Sequence, residues 1–257
     1  MLIIERWSGR FGNNILQIVN AIHYAIVCGH WEITLPPHTM FTTRAIRLTG
    51  IDKSVVGSTA RFTNSFGSLK ELKIAEAAPA IYRAYALKYI RPILRITESL
   101  TKGSSDVVVH FRGGDIFSER PHTSYVQPPL WYYKKAIDEH GGSATFVYED
   151  LKNPCARALV GNTASVSSFS KDLAVLLNAK HLIAGFSTFA FAIYLLNPAL
   201  QTLTLPDYFA ALFPAGSWGD GFTLHVIALP GYIRVGEWVN SAAQRALMLN
   251  YAPPATE

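Results

Sequence analysis

Apolar positions in the second half of the chain alternate between two spacings. Short runs of β-branched and aliphatic residues are typical of buried strands, and the segments between them repeat apolar residues at helical spacing. Such alternation predicts a parallel sheet with helices on both faces. The predicted elements are strand 106–111, helix 129–139, strand 144–149, helix 153–160, strand 164–167, helix 170–178, strand 180–184, helix 188–196 and strand 201–205.

The first half of the chain opens with a β-α-β pattern. Leu2–Glu5 and Trp31–Leu35 are strand-like, and Asn13–Val27 carries apolar residues at helical spacing. The residues that follow mix apolar and polar positions without a clear period. Ile81–Ile96 has a helical pattern that Pro92 interrupts, because proline cannot donate the helical hydrogen bond.

Length and composition are those of a globular protein. The 257 residues are 49% apolar and 16% charged, which allows one large domain or two modest ones. The Gly-Ser stretch at 103–105 predicts a boundary between domains 1–103 and 104–257. The net charge of +5 is spread along the chain, so it favours a small anionic substrate over nucleic acid.

Charge and apolar run lengths argue against export and against a membrane span. Glu5 and Arg6 come too early for a secretory signal. The longest nearly apolar stretch, Leu182–Leu196, has 15 residues, and a span needs roughly 18. Cys28 and Cys155 are too few for a disulfide framework and fit no zinc pattern. We therefore expect a cytoplasmic protein without a metal centre.

Candidate chemistry is concentrated where strand 106–111 ends, in the sequence V-V-V-H-F-R-G-G-D. Strand alternation places His110 and Arg112 on one face and Phe111 on the other. Arg112 offers a fork of donors that matches a phosphate or carboxylate, and the two following glycines let the backbone approach a ligand. The segment predicts an anion site. The alternative is that both side chains only close off a strand and pair with an acidic neighbour.

Residues near other strand ends and helix starts could complete such a site. His110, Glu149 and Gly185 lie at carboxyl ends of predicted strands, where open parallel sheets bind ligands. Ser187 and Thr188 then begin a helix whose free N–H groups and dipole favour an anion, although Ser187 would serve equally as an ordinary N-cap. Glu149 either binds ribose hydroxyls or belongs to a solvated loop.

Two further segments place polar side chains at helix starts. In S-G-R-F-G-N-N, after the first strand, the glycines permit a sharp turn and Asn13 would cap the helix and reach a polar ligand. This segment is not G-x-G-x-x-G, which argues against the usual dinucleotide motif. Asp172 lies in the first turn of helix 170–178, where a carboxylate favours the helix dipole, and recognition of a base edge is the alternative.

Three motifs, in their order along the chain, resemble those of the GDP-fucose-dependent fucosyltransferase superfamily. They are G-R-F-G-N before a helix, H-x-R-x-G-D after a mid-chain strand and S-T-F at a late helix start. This superfamily includes the α1,2-, α1,6- and protein O-fucosyltransferases, and the resemblance covers residues 8 to about 198. It implies an α/β fold of the GT-B type, with two Rossmann-like domains facing a cleft. The N-terminal domain would be on the acceptor side and the C-terminal domain would bind the nucleotide sugar, with the last helix free to pack back on the N-terminal domain.

The resemblance also implies an inverting, metal-independent transfer of fucose from GDP-fucose, without a cofactor. Arg112 would clamp the β-phosphate of the leaving group, where negative charge grows in the transition state. Asp115 or Glu119 would be the general base, with Asp115 favoured, and His122 is a third candidate because imidazole titrates near neutral pH. The predicted donor-binding residues are Gly12, Asn13, His110, Gly113, Gly114, Glu149, Asp172, Ser187, Thr188 and Phe189.

Two departures from the family pattern leave the donor sugar and linkage open. The α1,2 and α1,6 enzymes have a second arginine at the position of Gly113, and the α1,2 enzymes have S-S-F-S-W-W where this chain has S-T-F-A-F. Alternatives are therefore another GDP-sugar, a UDP-sugar, or a non-catalytic protein that binds a nucleotide or glycan. The expected acceptor is a glycan or a lipid-linked sugar.

Overall fold

The computed structural model describes residues 1–51, 59–62, 69–96, 106–161, 167–211 and 216–254. The chain divides into two compact units. The first comprises Met1–Ile96, Phe191–Pro198 and Pro214–Asp220, and the second comprises Thr97–Ala190, Ala199–Phe213 and Gly221–Glu257. The boundary predicted near residue 103 lies outside the described residues.

The first unit contains a four-stranded mixed sheet in the order β3-β2-β1-β4. β1 (Leu2–Ile4) lies parallel to β2 (Glu32–Thr34) and to β4 (Ala60–Phe62), while β3 (Ala45–Arg47) pairs antiparallel with β2. Helix α1 (Phe11–Cys28) connects β1 to β2 and confirms the β-α-β opening. The sequence did not predict β3 and β4, which lie where apolar and polar positions mix without a clear period.

Helix α1 begins two residues earlier than its apolar pattern predicts. The chain turns at Gly9, which has a φ of +74°, and Arg10 is the N-cap in extended conformation. Asn13 therefore lies inside the first helical turn, and the prediction that Asn13 caps the helix is wrong. Gly29 ends α1 with a φ of +74°, a left-handed conformation that favours glycine.

The helical pattern at Ile81–Ile96 corresponds to three consecutive helical elements of different types. Helix α2 covers Pro79–Tyr85, a π-helical turn covers Ala86–Ile90, and a 3-10 turn covers Arg91–Ile93. Pro92 has no N–H for the helical ladder, so regular α-helix does not continue through this point. The predicted interruption is confirmed.

The second unit contains a five-stranded sheet that is parallel throughout, in the order β6-β5-β7-β8-β9. Four strands coincide with predicted ones, and β9 extends the sheet beyond the last of them. The strand predicted at 164–167 falls almost entirely outside the described residues. The strands are β5 (Val107–Phe111), β6 (Thr145–Tyr148), β7 (His181–Ala184), β8 (Thr202–Pro206) and β9 (Thr223–Ile227).

Side chains of β5 alternate between two packed faces, which is why all five of its residues are buried. Val109 and Phe111 belong to a core that includes residues of α3, α4 and α8, whereas the His110 ring contacts Phe189 at the start of α6. Phe169 of α5 packs on Phe189 from the same side. The helices of this unit are α3 (Leu130–Glu139), α4 (Pro154–Val160), α5 (Phe169–Leu176), α7 (Asp207–Ala210) and α8 (Ala242–Asn250). Helix α6 (Thr188–Leu196) begins in this unit, and its residues from Phe191 onward belong to the first unit.

The protein thus belongs to the α/β class, and its parallel sheet is Rossmann-like, with helices on both faces. The last helix, α8, packs against α3 and α4 within the second unit. Over the described ranges, no helix combines the length and the apolar character that crossing a bilayer requires.

Candidate functional site

The strand order of the second unit creates a topological switch point between β5 and β7. From β5 the chain crosses to β6 on one side, and from β7 it crosses to β8 on the other. The loops that follow these two neighbouring strands therefore leave in opposite directions and open a crevice at their carboxyl ends. His110 and Arg112 stand at one of these loops, and Gly185 and Ser187 stand at the other.

His110 is a buried neutral imidazole beside this crevice. The side chain is 7% exposed, and its ring meets the Phe189 ring edge-on at a centroid distance of 5.2 Å. Burial, helped by the positive charge of Arg112, lowers the pKa of His110 to about 3. Its Nδ1 atom has no hydrogen-bond partner among the described residues. A buried polar atom in this state is a natural contact for a ligand.

Arg112 is held by two carboxylates. Its Nη1 donates to Glu149 Oε2 at 2.8 Å, and its Nη2 donates to Asp115 Oδ1 at 2.6 Å. The Arg112 side chain is only 17% exposed, while those of Asp115 and Glu149 are more exposed. The acidic pairing that the sequence left as an alternative is therefore present, and it occurs at the switch point.

The glycines after Arg112 lie close to the two carboxylates that follow β6. A Cβ on Gly113 would lie 2.5 Å from Asp150 Oδ1, and Gly114 has a φ of +64°. Asp150 fixes this turn, because its carboxylate accepts from the backbone N–H of Gly114 at 3.0 Å and of Lys152 at 2.9 Å. Glu149 and Asp150 thus have structural partners in the chain, and neither is merely a solvated loop residue.

Asn153 is a buried connector that the sequence reasoning missed. It caps α4 by accepting from the N–H groups of Cys155 and Ala156, and its Nδ2 donates to the Arg112 carbonyl at 3.1 Å. The asparagine before Pro154 was a usable sequence signal, since Asn at N-cap and Pro at N1 is a common helix start. Asn153 ties the Arg112 turn to the start of α4.

Replacing Asn153 by Ala should lower the free energy of unfolding by about 1–3 kcal/mol, because buried backbone groups lose their partners. Urea denaturation measures the effect. Asn153→Ser keeps a capping oxygen and should lose less stability. Equal urea midpoints for the wild type and Asn153→Ala would show that the cap contributes nothing.

The β7–α6 turn supplies the opposite wall of the crevice. Helix α6 starts at Thr188 as predicted, and the Ser187 Oγ accepts from the Phe189 N–H at 3.1 Å. Ser187 therefore acts as an N-cap, and its hydroxyl hydrogen remains a possible donor to a ligand. Thr188 and Phe189 are half-buried in the first turn of α6.

The side chain of Gln127 supports this turn, and no pattern in the sequence indicated its role. Its side chain is fully buried, and its Nε2 donates to the Phe186 carbonyl at 3.2 Å. The Tyr232 hydroxyl donates in turn to the Gln127 carbonyl at 3.0 Å. A Cβ on Gly185 would lie 2.6 Å from Gln127 Oε1, so only glycine fits at this position. The turn is set by neighbours distant in sequence.

The remaining predicted acids differ in their surroundings. Asp172 lies in the first turn of α5 and accepts a hydrogen bond from the Ser167 hydroxyl, while Ser168 caps the helix. Burial raises the pKa of Asp172, and the Ser167 hydrogen bond acts in the opposite direction. Asp115 is bound to Arg112, whereas Glu119 is exposed beyond the 3-10 turn Gly114–Phe117. Only Asp115 of these three contacts the arginine.

Gly12 and Asn13 lie in the first turn of α1, in the first unit. The loop before this helix is held by two buried amides that the sequence reasoning did not single out. Asn14 Nδ2 donates to the Ser8 carbonyl at 3.2 Å, and Gln17 Nε2 donates to the Arg6 carbonyl at 3.2 Å. Both side chains are 2% exposed, so the loop is fixed from inside the unit.

Comparison of the chain with protein-family models, with curated proteins and with solved structures gives no match. Within the described ranges, no three His, Cys, Asp or Glu side chains are grouped so that they could hold a metal ion. His110, Arg112 and Asp115 lie at the carboxyl end of β5, and Glu149 lies at the adjacent carboxyl end of β6.

Proposed function

We propose that this protein is an inverting, metal-independent glycosyltransferase that transfers fucose from GDP-fucose to a hydroxyl of a glycan or lipid-linked sugar. The proposal includes a GT-B arrangement of two Rossmann-like domains facing a cleft. Each unit contains a sheet with parallel strands, which such an arrangement requires.

One observation carries the proposal. The switch point of the parallel sheet places an arginine, a buried imidazole and the capped start of α6 at two adjacent strand ends, and no described residue hydrogen-bonds the imidazole Nδ1. Nucleotide phosphates bind at such ends because arginine and helix N–H groups both favour negative charge. This combination supports a diphosphate ligand better than it supports a purely structural ion pair.

The reaction follows from where charge develops. The acceptor oxygen forms a bond to the anomeric carbon on the face opposite the phosphate, and the bond from that carbon to the β-phosphate oxygen breaks. The bonding electron pair moves onto the β-phosphate, where Arg112 stabilises the new charge. Asp115, the general base that the family resemblance favours over Glu119, takes the acceptor proton.

Thermal unfolding with GDP, UDP or ADP tests the nucleotide assignment. A ligand that binds only the folded state raises the melting temperature by mass action. We expect the largest increase with GDP. An increase with UDP and none with GDP would replace GDP-fucose by a UDP-sugar.

A donor-hydrolysis assay separates an enzyme from a non-catalytic binding protein. With GDP-fucose as the substrate, the proposed enzyme should release GDP slowly, because water can replace the missing acceptor. A protein that binds GDP-fucose tightly and releases no GDP, even with candidate glycan acceptors, would be a binding module.

A further inference from the structure

The guanidinium of Arg112 already has an anionic partner on each of its two terminal nitrogens. Glu149 occupies Nη1 and Asp115 occupies Nη2, at 2.8 and 2.6 Å. These are the donors that a phosphate would use in a forked contact. Each terminal nitrogen carries two N–H groups, and a diphosphate that uses those now bound to Glu149 and Asp115 must displace these carboxylates.

The charge around Arg112 leads to the same requirement. Asp150 and Lys152 lie in the adjoining turn, with Lys152 Nζ 3.9 Å from Asp150 Oδ2. Among the ion pairs of the described residues, three carboxylates face two cations in this cluster. These carboxylates repel an approaching phosphate unless it displaces them from the Arg112 guanidinium.

We propose that Glu149 and Asp115 form an internal latch on Arg112, which the donor phosphates open by exchange. This inference rests on the proposed function and adds a regulation of the same site. The β-phosphate takes the place of the carboxylates on the guanidinium. Asp115 is thereby released from Arg112 and becomes available to accept the proton of the acceptor hydroxyl.

The latch couples donor binding to activation of the base. While Asp115 accepts from Arg112 at 2.6 Å, the guanidinium occupies one of its carboxylate oxygens. Once the phosphate holds Arg112, that oxygen can accept the hydrogen of the acceptor hydroxyl instead. The donor therefore binds before the acceptor can be activated.

Binding of inorganic pyrophosphate to the full chain tests the latch. In low-salt calorimetry, Glu149→Gln and Asp115→Asn should each bind pyrophosphate about tenfold more tightly than the wild type, the scale of one hydrogen bond to a charged group. Arg112→Ala should lose most of the binding. Glu119→Gln removes an equal charge from a side chain that does not pair with Arg112, so its affinity should change far less.

The outcomes of this experiment test the latch separately from the proposed glycosyltransferase function. If the wild type binds pyrophosphate through Arg112 and neither latch variant binds more tightly, the latch is wrong and the phosphate site stands. Equal tightening by Glu119→Gln would also overturn the latch, because charge alone would explain the gain. If neither the wild type nor Glu149→Gln binds pyrophosphate, both the latch and the proposed function fail.

Discussion

Arg112→Ala should reduce the turnover of GDP-fucose by about tenfold to a thousandfold, the usual scale for losing one donor that stabilises developing charge. The loss should appear in kcat, because the leaving β-phosphate gains charge only as the glycosidic bond breaks. Steady-state release of GDP measures it. The fold should survive, since the two carboxylates that lose their partner are 54% and 38% exposed and can be hydrated.

Arg47→Ala is a matched control for this experiment. Arg47 also pairs with a carboxylate, Glu32, but its side chain is 79% exposed and lies on β3 of the first unit. Its replacement should leave GDP release near the wild-type rate. Near-normal turnover in Arg112→Ala would refute the assigned role of Arg112.

Acid should lower the free energy of unfolding through protonation of His110. The decrease reaches roughly 5 kcal/mol when the pKa shift of His110 is converted at 1.36 kcal/mol per unit. The pKa of His110 falls from 6.5 to about 3 on folding. Between these values the unfolded chain binds a proton that the folded chain does not, so the free energy of unfolding decreases as the pH falls. The contribution of His110 to the free energy of unfolding is fully present above pH 6.5 and is lost as the pH falls toward 3.

The variant His110→Gln isolates this contribution. Its amide does not titrate, so the slope of unfolding free energy against pH should be shallower by up to about 1.4 kcal/mol per pH unit in this window. Urea titrations at pH 4.5, 5.5 and 7 give the slopes. Burial also lowers the pKa of His30 and His38, so some acid sensitivity will remain in the variant. Identical slopes would mean that His110 does not carry the effect.

Local pattern was sufficient for the elements that make the second unit. The buried strand at Val107–Phe111 and the helices α3, α4 and α6 have enough residues for their period to appear in the sequence. The same pattern placed His110 and Arg112 at a strand end. Strand order was not predictable in this way, yet it is the order β6-β5-β7 that makes this strand end a switch point.

The site residues that the sequence did not predict depend on contacts between positions far apart in the chain. Gln127 reaches the Phe186 carbonyl and Asn153 reaches the Arg112 carbonyl, across 59 and 41 positions. Likewise, the sequence offered an acidic partner for Arg112 only in general terms. The pairing of Glu149 with Arg112 arises because β6 lies beside β5 in the sheet, with Phe111 opposite Tyr148.

We expect Arg112 to bind the β-phosphate of GDP at the β5–β7 switch point. A crystal structure of the protein with GDP tests it most directly. We expect a β-phosphate oxygen within hydrogen-bonding distance of the Arg112 guanidinium and beside the start of α6, with at least one carboxylate displaced. GDP bound elsewhere, with Arg112 still paired to Glu149 and Asp115, would contradict the account.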